Sequence, residues 1–463
     1  MKEQRHSMPV ASSVATEKGE TVSIYVDHNH PLLQLKRALP WEALFEVMTR
    51  HWRRAGKNTD GRPGLAWDVT LYVPLVVLML VKHLKARDME AYLAENVVAR
   101  VFLGRQDAIN PQIRDHSNIA RASTALGREG VEEVNALMLH VAKDFGFADI
   151  GILSSDTTAQ ELPMGYPNEP GILRGWAQRC GRALEQLKRR GVWGVDTALD
   201  QVRTILRSVK EHHLFAKGKG AKQQVLTRLL TEVGPLVVQT RPLVVRLGQH
   251  RDRVTHKALT TLQTMHEVAK RLIPPIVQWI TTGVVAKGKI IHAGVTQARA
   301  IVRHKAGKQV EFGLPYLLSG LGGGYVFGTL IRGVVDESKM PLQALAGYRA
   351  IFGAQATPTL LVYDRGGYAT APLKALTHEG VKELGIQPKG QGAWCVAEAV
   401  RETVRSERGK TEGIIGTLKT DKYGFNKPKE RLWQTLEMAG ARSILSFNLN
   451  KLMRDVVRTN RGE

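Results

Sequence analysis

The chain has 463 residues, 43% of them hydrophobic, and a formal net charge of +23 from 66 Lys and Arg against 43 Asp and Glu. Its length and apolar content exclude wholesale disorder and provide for two or three domains with cores of their own. The charge favours a polyanionic partner, above all nucleic acid, because neutralised phosphates release condensed counterions. The alternative is a soluble basic protein with no specific partner.

Cysteine content and hydropathy exclude further classes. Cys180 and Cys395 lie far apart and form no CxxC pair, which excludes a disulfide framework and a cysteine-based zinc site. The longest apolar run, Val69 to Val81, is shorter than the roughly 20 residues that cross a bilayer and contains Pro74. It predicts a buried core helix. Because the N-terminal MKEQRHSMPVASS is polar and unlike a signal peptide, we expect a cytoplasmic protein without membrane contact.

The first two segments of the chain differ in periodicity. Residues 1–28 show no helical pattern and are predicted to form a flexible arm. Over 29–148, apolar residues recur at three- and four-residue spacing, as in LLQLKRALPWEALFEVM and VEEVNALMLHVAKDFGF, which predicts a compact helical domain. Connectors such as GKNTDGRPG contain the Gly, Pro, Asn and Asp that chain reversals need.

The pattern changes at Asp149. The run ADIGILSSDTT predicts a buried strand with Asp156 at its C-terminal end. Residues 171–292 are then helical and basic, and we interpret them as a helical insertion. A flexible break is expected at KGKGAK, residues 217–222, since alternating Gly and Lys disfavour regular structure.

β pattern returns after the insertion. Residues 309–335 divide into two strand-like halves around the Gly-rich SGLGGG, which predicts a hairpin. The elements expected next are a helix over 341–352, the strand TPTLLVY that ends before Asp364, a helix over 371–380, a short strand near 385–388 and a helix over 395–418. Together they predict an α/β core with a mixed sheet over 149–450, followed by a basic tail at 451–463.

Three acids in this core are candidates for one metal site. Asp156 and Asp364 both end predicted strands, and ligands of open α/β sheets gather at the carboxyl edge. Glu412 supplies a third acid from the following helix. Carboxylates suit Mg²⁺ or Mn²⁺, and phosphodiester chemistry uses two such ions. Asp336 and Glu311, near other strand ends, are rival ligands of lower rank.

Basic residues surround Glu412 on the same predicted helix. On an ideal helix Arg408, Glu412 and Lys419 fall within roughly 40° of one another, with Arg401 and Arg405 close to that face. These cations would hold DNA phosphates. The alternative is a solvated helical face with ion pairs four residues apart. The other acids of this helix, Glu398, Glu402 and Glu407, are expected to face solvent.

These motifs resemble those of DDE transposases of bacterial insertion sequences, in the group whose third motif reads Tyr-x2-Arg-x3-Glu-x6-Lys. Arg408, Glu412 and Lys419 match it residue by residue, whereas Arg405 stands at the Tyr position. Around the second aspartate the group shows Asp-x-Gly-Gly-Tyr, and this chain has DRGGY from Asp364. HPLLQLKRALPWEAL, LAEN, DHSNIAR and RHKAGKQVEFG are similar to further segments of the same group.

The resemblance covers most of the chain outside the first 25 residues and the insertion. It implies an RNase H-like catalytic core, metal ligation by Asp156, Asp364 and Glu412, cleavage at transposon ends, and attack of the freed 3′-OH on target DNA. It further implies an N-terminal domain that binds terminal inverted repeats, with a recognition helix after Asp115, and a homodimer or larger assembly on nucleoid DNA. The rivals are a metal-dependent nuclease that does not join strands and a transposase-derived DNA-binding protein without activity.

Overall fold

The chain divides into two compact units. The first comprises Met1–Gln160, Tyr316–Ile331 and Val335–Glu463, and the second comprises Glu161–Pro315 and Arg332–Val334. The computed structural model describes residues 10–15, 21–59, 67–105, 116–215, 218–246, 252–286, 288–305, 308–333, 335–388, 390, 392, 394, 396–430 and 433–462.

The first unit begins with a two-stranded antiparallel ribbon within the predicted arm. Strands β1 (Val10–Ala15) and β2 (Thr21–Val26) pair from Val10 opposite Val26 to Ala15 opposite Thr21. The helices that follow are α1 (Pro31–Ala38), α2 (Trp41–Arg54), α3 (Val69–Lys82), α4 (Ala86–Glu95), α5 (Val97–Phe102), α6 (His116–Ala125) and α7 (Gly127–Asp144). They confirm the helical pattern predicted between 29 and 148.

Helix α3 forms from the longest apolar run, as predicted. Asp68 caps it by accepting a hydrogen bond from the Thr70 backbone N–H at 3.0 Å, and most of its residues are buried, Pro74 included. Among the described residues, no single helix is long and apolar enough to cross a membrane, and α3 passes that test only together with α4, across a bend of 95°.

An open mixed sheet forms the centre of the α/β core. Its strands are β3 (Asp149–Glu161), β4 (Arg299–Lys305), β5 (Lys308–Gly322), β6 (Val326–Leu330), β7 (Leu360–Tyr363) and β8 (Glu383–Ile386). The order is β4-β5-β3-β7-β8, and β6 pairs with β5. β3, β7 and β8 are parallel, whereas β4, β5 and β6 pair antiparallel. The predicted hairpin around SGLGGG is confirmed as β5 and β6.

Helices cover this sheet in the first unit. They are α12 (Met340–Phe352), α13 (Thr370–His378), α14 (Glu398–Leu418) and α15 (Trp433–Arg461). The first three confirm the predicted helices to within a few residues. One continuous apolar core includes side chains of α1 to α7, of β3, β5 and β7, and of α12 and α15. The N-terminal helices and the sheet therefore share a core, and α15 continues through the predicted basic tail.

Four long helices make up most of the second unit. They are α8 (Glu169–Arg189), α9 (Asp196–Phe215), α10 (Gly218–Val245) and α11 (Arg253–Thr282). They enclose a separate apolar core built on Leu173, Trp176, Leu229 and Leu262, which confirms the helical pattern predicted for 171–292. The predicted break is wrong for residues 218–222 of KGKGAK, because α10 begins at Gly218; Lys217 lies outside the described residues.

Candidate active site at the carboxyl edge of the sheet

Asp156 and Asp364 lie on neighbouring parallel strands. The β3–β7 register pairs Ile152 with Leu360 and Ser154 with Val362. The recorded pairing ends there, and extension of the same register by two residues aligns Asp156 with Asp364; paired strands lie about 4.8 Å apart. The prediction that Asp156 ends its strand is wrong, because β3 continues to Glu161. β7 ends at Tyr363, so Asp156 projects beyond β7 at the same edge as Asp364.

A tight turn after β7 fixes Asp364. Its Oδ1 accepts a hydrogen bond from the Gly366 backbone N–H at 2.8 Å, and residues 365–367 form one 3₁₀ turn. A Cβ at Gly367 would lie 2.5 Å from Cδ1 of Tyr363, and one at Gly366 would lie 2.9 Å from Oδ1 of Asp364. The two glycines of DRGGY therefore allow this turn to fold back against its own strand.

A further acid, Glu337, reaches the same edge. Its carboxylate accepts hydrogen bonds from the Thr157 hydroxyl at 2.8 Å and from the Tyr363 hydroxyl. Burial, Glu337 and then Asp156 and Asp364 raise the pKa of Tyr363 far above its ordinary value. Tyr363 therefore keeps its proton and donates a hydrogen bond to Glu337. The sequence predicted Asp336 as a rival ligand but not Glu337, because the position of Glu337 depends on a 3₁₀ turn that contacts β3 and β7.

The two rival ligands lie elsewhere. The Asp336 side chain is exposed and accepts hydrogen bonds from the Ser338 backbone N–H at 3.2 Å and the Ser338 hydroxyl at 2.7 Å. It therefore caps the 3₁₀ turn. Glu311 lies in the second unit, in the part of β5 that pairs with β4, opposite Ile301.

One face of α14 packs on the sheet next to these acids. The Thr411 hydroxyl donates to Ser154 Oγ at 2.8 Å, and Ser154 Oγ donates to the Glu407 backbone carbonyl at 3.3 Å. Val404 packs with Leu360 and Val362 of β7. Side chains alternate along a strand, so Asp156, two residues after Ser154, is on the face of β3 that α14 covers.

The expectation that Glu407 faces solvent is wrong. Its side chain is only 7% exposed and forms an ion pair with Lys410 at 2.6 Å. Glu407 is buried because it lies three residues after Val404 and four before Thr411. This spacing puts all three on the side of the helix that faces the sheet. Glu398 and Glu402 are exposed, as predicted.

The adjacent face of α14 borders an open cleft of about 620 Å³. The cleft also reaches Gln387, which follows β8 and accepts a hydrogen bond from Arg365 Nε at 2.8 Å. Because Arg365 directly follows Asp364, the cleft lies at the carboxyl edge of the sheet. The α14 residues that line it are Arg401, Val404, Arg405, Arg408, Gly409 and Glu412.

The cations predicted around Glu412 differ in their ion pairs and in their exposure to solvent. Arg408 Nη2 lies 3.7 Å from Glu412 Oε1, and the Glu412 side chain is 65% exposed. Arg401 pairs with Glu398 and lies 5.8 Å from the ring centroid of Trp394. Arg405 is exposed. The predicted basic face is thus present, and it contains the ion pairs that the alternative interpretation expects.

Lys419 is the C-terminal cap of α14. It is half-buried and lies one residue beyond the buried Leu418. Gly409 and Gly413 are exposed, and a Cβ at either would meet nothing within 4 Å. Because these glycines have no side chain, a strand of DNA could approach the backbone of α14 closely beside Arg408 and Glu412.

The acids at this edge do not meet in one cluster. Among the described residues, no group of three or more His, Cys, Asp or Glu side chains lies close enough to hold a metal ion. The parallel register juxtaposes Asp156 and Asp364, while Glu412 lies on the helix above and is paired with Arg408. The donors are all carboxylate oxygens, the type that Mg²⁺ and Mn²⁺ prefer.

The comparison with protein families supports a transposase. A family described as "Transposase domain (DUF772)" matches residues 20–124, which span β2, α1 to α5 and most of α6. The matched region includes the segments HPLLQLKRALPWEAL, LAEN and DHSNIAR. No curated protein and no solved structure matches the chain.

Proposed function

We propose that this chain is a DDE transposase with an RNase H-like catalytic core, which cleaves DNA at insertion-sequence ends and joins the freed 3′-OH to target DNA. The observation that supports this most is the β3–β7 register, which aligns Asp156 with Asp364 on the face of the sheet where Thr411 of α14 contacts Ser154. The transposase-domain match at residues 20–124 supports it independently.

Asp156, Asp364 and Glu412 are the proposed ligands of two Mg²⁺ or Mn²⁺ ions. Such ions, when bound, activate the attacking oxygen and stabilise the leaving oxygen. Mg²⁺ commonly keeps water and substrate phosphates among its ligands, so two aspartates at one edge fit it, with Glu412 added from the helix. Arg408 and Glu412 can separate at little cost, because exposed ion pairs contribute little to stability. Arg408 would then bind a DNA phosphate, and Glu412 would bind a metal ion.

The cations along the cleft would hold the DNA. In this proposal Arg401, Arg405, Arg408 and Lys419 contact phosphates of the transposon end and place the scissile phosphate over the two aspartates. The N-terminal helices would bind the inverted repeats, and two chains would hold two ends as a homodimer or larger assembly on nucleoid DNA in the cytoplasm. Glu337 would act as a positioning residue that holds Thr157 and Tyr363 beneath Asp156 and Asp364.

Product analysis with Glu412→Gln tests this proposal. The wild-type chain, a labelled donor end and a target plasmid should give cleaved and strand-joined products that require Mg²⁺ or Mn²⁺. Glu412→Gln should bind the donor end as the wild type does and give neither product. Glu402→Gln is the matched control, because Glu402 is an exposed acid of α14 that does not line the cleft.

Each rival predicts another product pattern. A nuclease would give cleaved ends without joined strands. A DNA-binding protein without activity is favoured by the exposed Arg408–Glu412 pair and the lack of a three-acid cluster among the described residues, and it would bind the end without cutting. Retained cleavage in Glu412→Gln would exclude that residue as a ligand.

A further inference from the structure

Arg442 of α15 is a cation whose donors are not satisfied. Its Nε and Nη2 atoms are buried and hydrogen bond to no described residue. Burial lowers the pKa of Arg442, and Glu430 acts in the opposite direction. A guanidinium stays charged in proteins, and a buried charge without hydrogen bonds is strongly unfavourable. An anionic ligand would therefore supply the hydrogen-bond acceptors that Arg442 Nε and Nη2 lack.

A cavity beside Arg442 is wide enough for such a ligand. Its volume is about 890 Å³. It opens between the α3–α4 turn, α6 and the segment 421–430 that follows α14, all within the first unit. Four exposed lysines and two acids line it besides Arg442: Lys85, Lys422, Lys427, Lys429, Asp421 and Glu430. We call it the Arg442 pocket, and cations outnumber acids in it.

The backbone around the Arg442 pocket is held in unusual conformations. His83 (φ 55°) and Lys427 (φ 48°) are the non-glycine residues with positive φ in the described part of the chain, and both line this pocket. His83 is the C-terminal cap of α3, where this conformation is common, whereas such a conformation at Lys427 persists only where the surrounding structure enforces it.

Contacts behind the pocket involve His83 and Tyr423. The Ser443 hydroxyl donates to the Tyr423 carbonyl at 2.8 Å, and the rings of His83 and Tyr423 pack edge to face with centroids 4.9 Å apart. These contacts hold His83 and Tyr423 in place at the back of the pocket.

We infer that the Arg442 pocket binds a backbone phosphate of DNA, with Arg442 at its base and the lysines at its rim. Cations spread around a wide opening suit a strand with successive phosphates better than a single free phosphate. The α6 wall of the pocket, which includes Ala120 and Thr124, overlaps the match to a transposase domain. The choice of DNA as the anion rests on the proposed function.

Arg442→Met tests the inference by separating stability from DNA binding. Removal of a largely buried charge whose Nε and Nη2 atoms lack hydrogen bonds should leave the free energy of unfolding unchanged or raise it. Affinity for duplex DNA, measured by fluorescence anisotropy without divalent metal, should fall about tenfold. The slope of log K against log salt concentration should decrease by about 0.9 per lost phosphate contact.

Arg458→Met is the matched control, because Arg458 is an exposed arginine of the same helix outside the pocket. It should change DNA affinity less than twofold. A purely structural role for Arg442 would give the reverse pattern for Arg442→Met, with lower stability and unchanged affinity, and would overturn the inference. Should Arg442→Met fail to fold, Lys429→Gln at the exposed rim should still weaken binding more than Arg458→Met does, and equal effects would contradict the proposal.

A thermal-shift series separates DNA from free phosphate. Duplex DNA should raise the Tm of the wild type more than of Arg442→Met, whereas inorganic phosphate at the same phosphate concentration should raise neither. Equal stabilisation by inorganic phosphate, lost in Arg442→Met, would overturn the assignment to DNA. Because these measurements need no metal, failure of the proposed cleavage reaction would leave their outcome unaffected.

Discussion

The two faces of α14 differ in their burial and in the residues that they contact. The sheet-facing side, with Val404, Glu407 and Thr411, is buried and contacts Ser154 and β7. The cleft-facing side, with Arg408 and Glu412, is more exposed, and its charges pair with each other. The first face determines where the helix lies, and the second determines which charges the helix presents to the cleft. Substitutions on the first should therefore affect stability, and those on the second should affect activity.

Asp156→Asn should have the largest effect at this edge. The change removes a carboxylate charge without removing volume, and metal assistance contributes several kcal/mol to transition-state stabilisation. We expect Mg²⁺-dependent strand cleavage to fall by about 10³-fold or more, with an unchanged unfolding midpoint. Gel analysis of labelled donor ends measures the first quantity, and urea unfolding measures the second. Activity within a fewfold of the wild type would show that this edge is not the reaction centre.

Val404→Ala should affect stability far more than DNA binding, because the Val404 side chain is buried although it borders the cleft. It removes buried methyl groups that pack on Leu360 and Val362, at a cost of about 2 kcal/mol in the free energy of unfolding. Arg405→Ala, on the exposed side next to it, should change that free energy by about 0.5 kcal/mol or less and weaken DNA binding. Equal stability losses in the two variants would contradict the division between faces. Chemical unfolding and anisotropy titrations on both variants measure the two quantities.

Tyr363→Phe should have the smallest effect and should change the pH dependence of stability. Loss of the hydrogen bond to Glu337 should cost about 1 kcal/mol near neutral pH. The pKa of Tyr363 is raised in the folded chain, so its contribution is complete below the unfolded pKa of about 10. It is lost as the pH rises above that value, because the unfolded chain releases the proton first.

Unfolding free energies over about pH 8 to 11 provide the measurement. The wild type should lose more stability across this range than Tyr363→Phe does. Parallel pH profiles for the two proteins would exclude a raised Tyr363 pKa and, with it, the placement of the Tyr363 hydroxyl beside Glu337.

Much of the fold could be predicted from the sequence because its signals are local. Apolar periodicity predicted α3 and the long helices of the second unit, and the Gly-rich SGLGGG between apolar runs predicted the β5–β6 hairpin. The burial of Glu407 could not be predicted, because the sequence does not show which side of α14 faces the sheet. Contacts of Val404 and Thr411 with distant strands determine that side. The continuation of β3 past Asp156 was missed for a similar reason, since a polar SSDTT signals a strand end by composition alone.

The candidate site was less accessible to sequence reasoning. Asp156 and Asp364 are 208 positions apart, and only the β3–β7 register relates them. Glu337 is brought to the same edge by a 3₁₀ turn, and the sequence of that turn, DESK, is typical of an ordinary helix cap. Arg442 lies within an apolar stretch of α15 and shows no motif, so only the structure identifies its unsatisfied guanidinium.

Binding of Mn²⁺ to the full chain tests the central claim most directly. Electron paramagnetic resonance counts the bound ions in the wild type and in Asp156→Asn, Asp364→Asn and Glu412→Gln, each with a donor-end duplex. The wild type should bind about two ions, and each substitution should remove at least one of them or weaken its binding at least tenfold. Identical Mn²⁺ titrations in all four proteins would show that these carboxylates do not bind the metal.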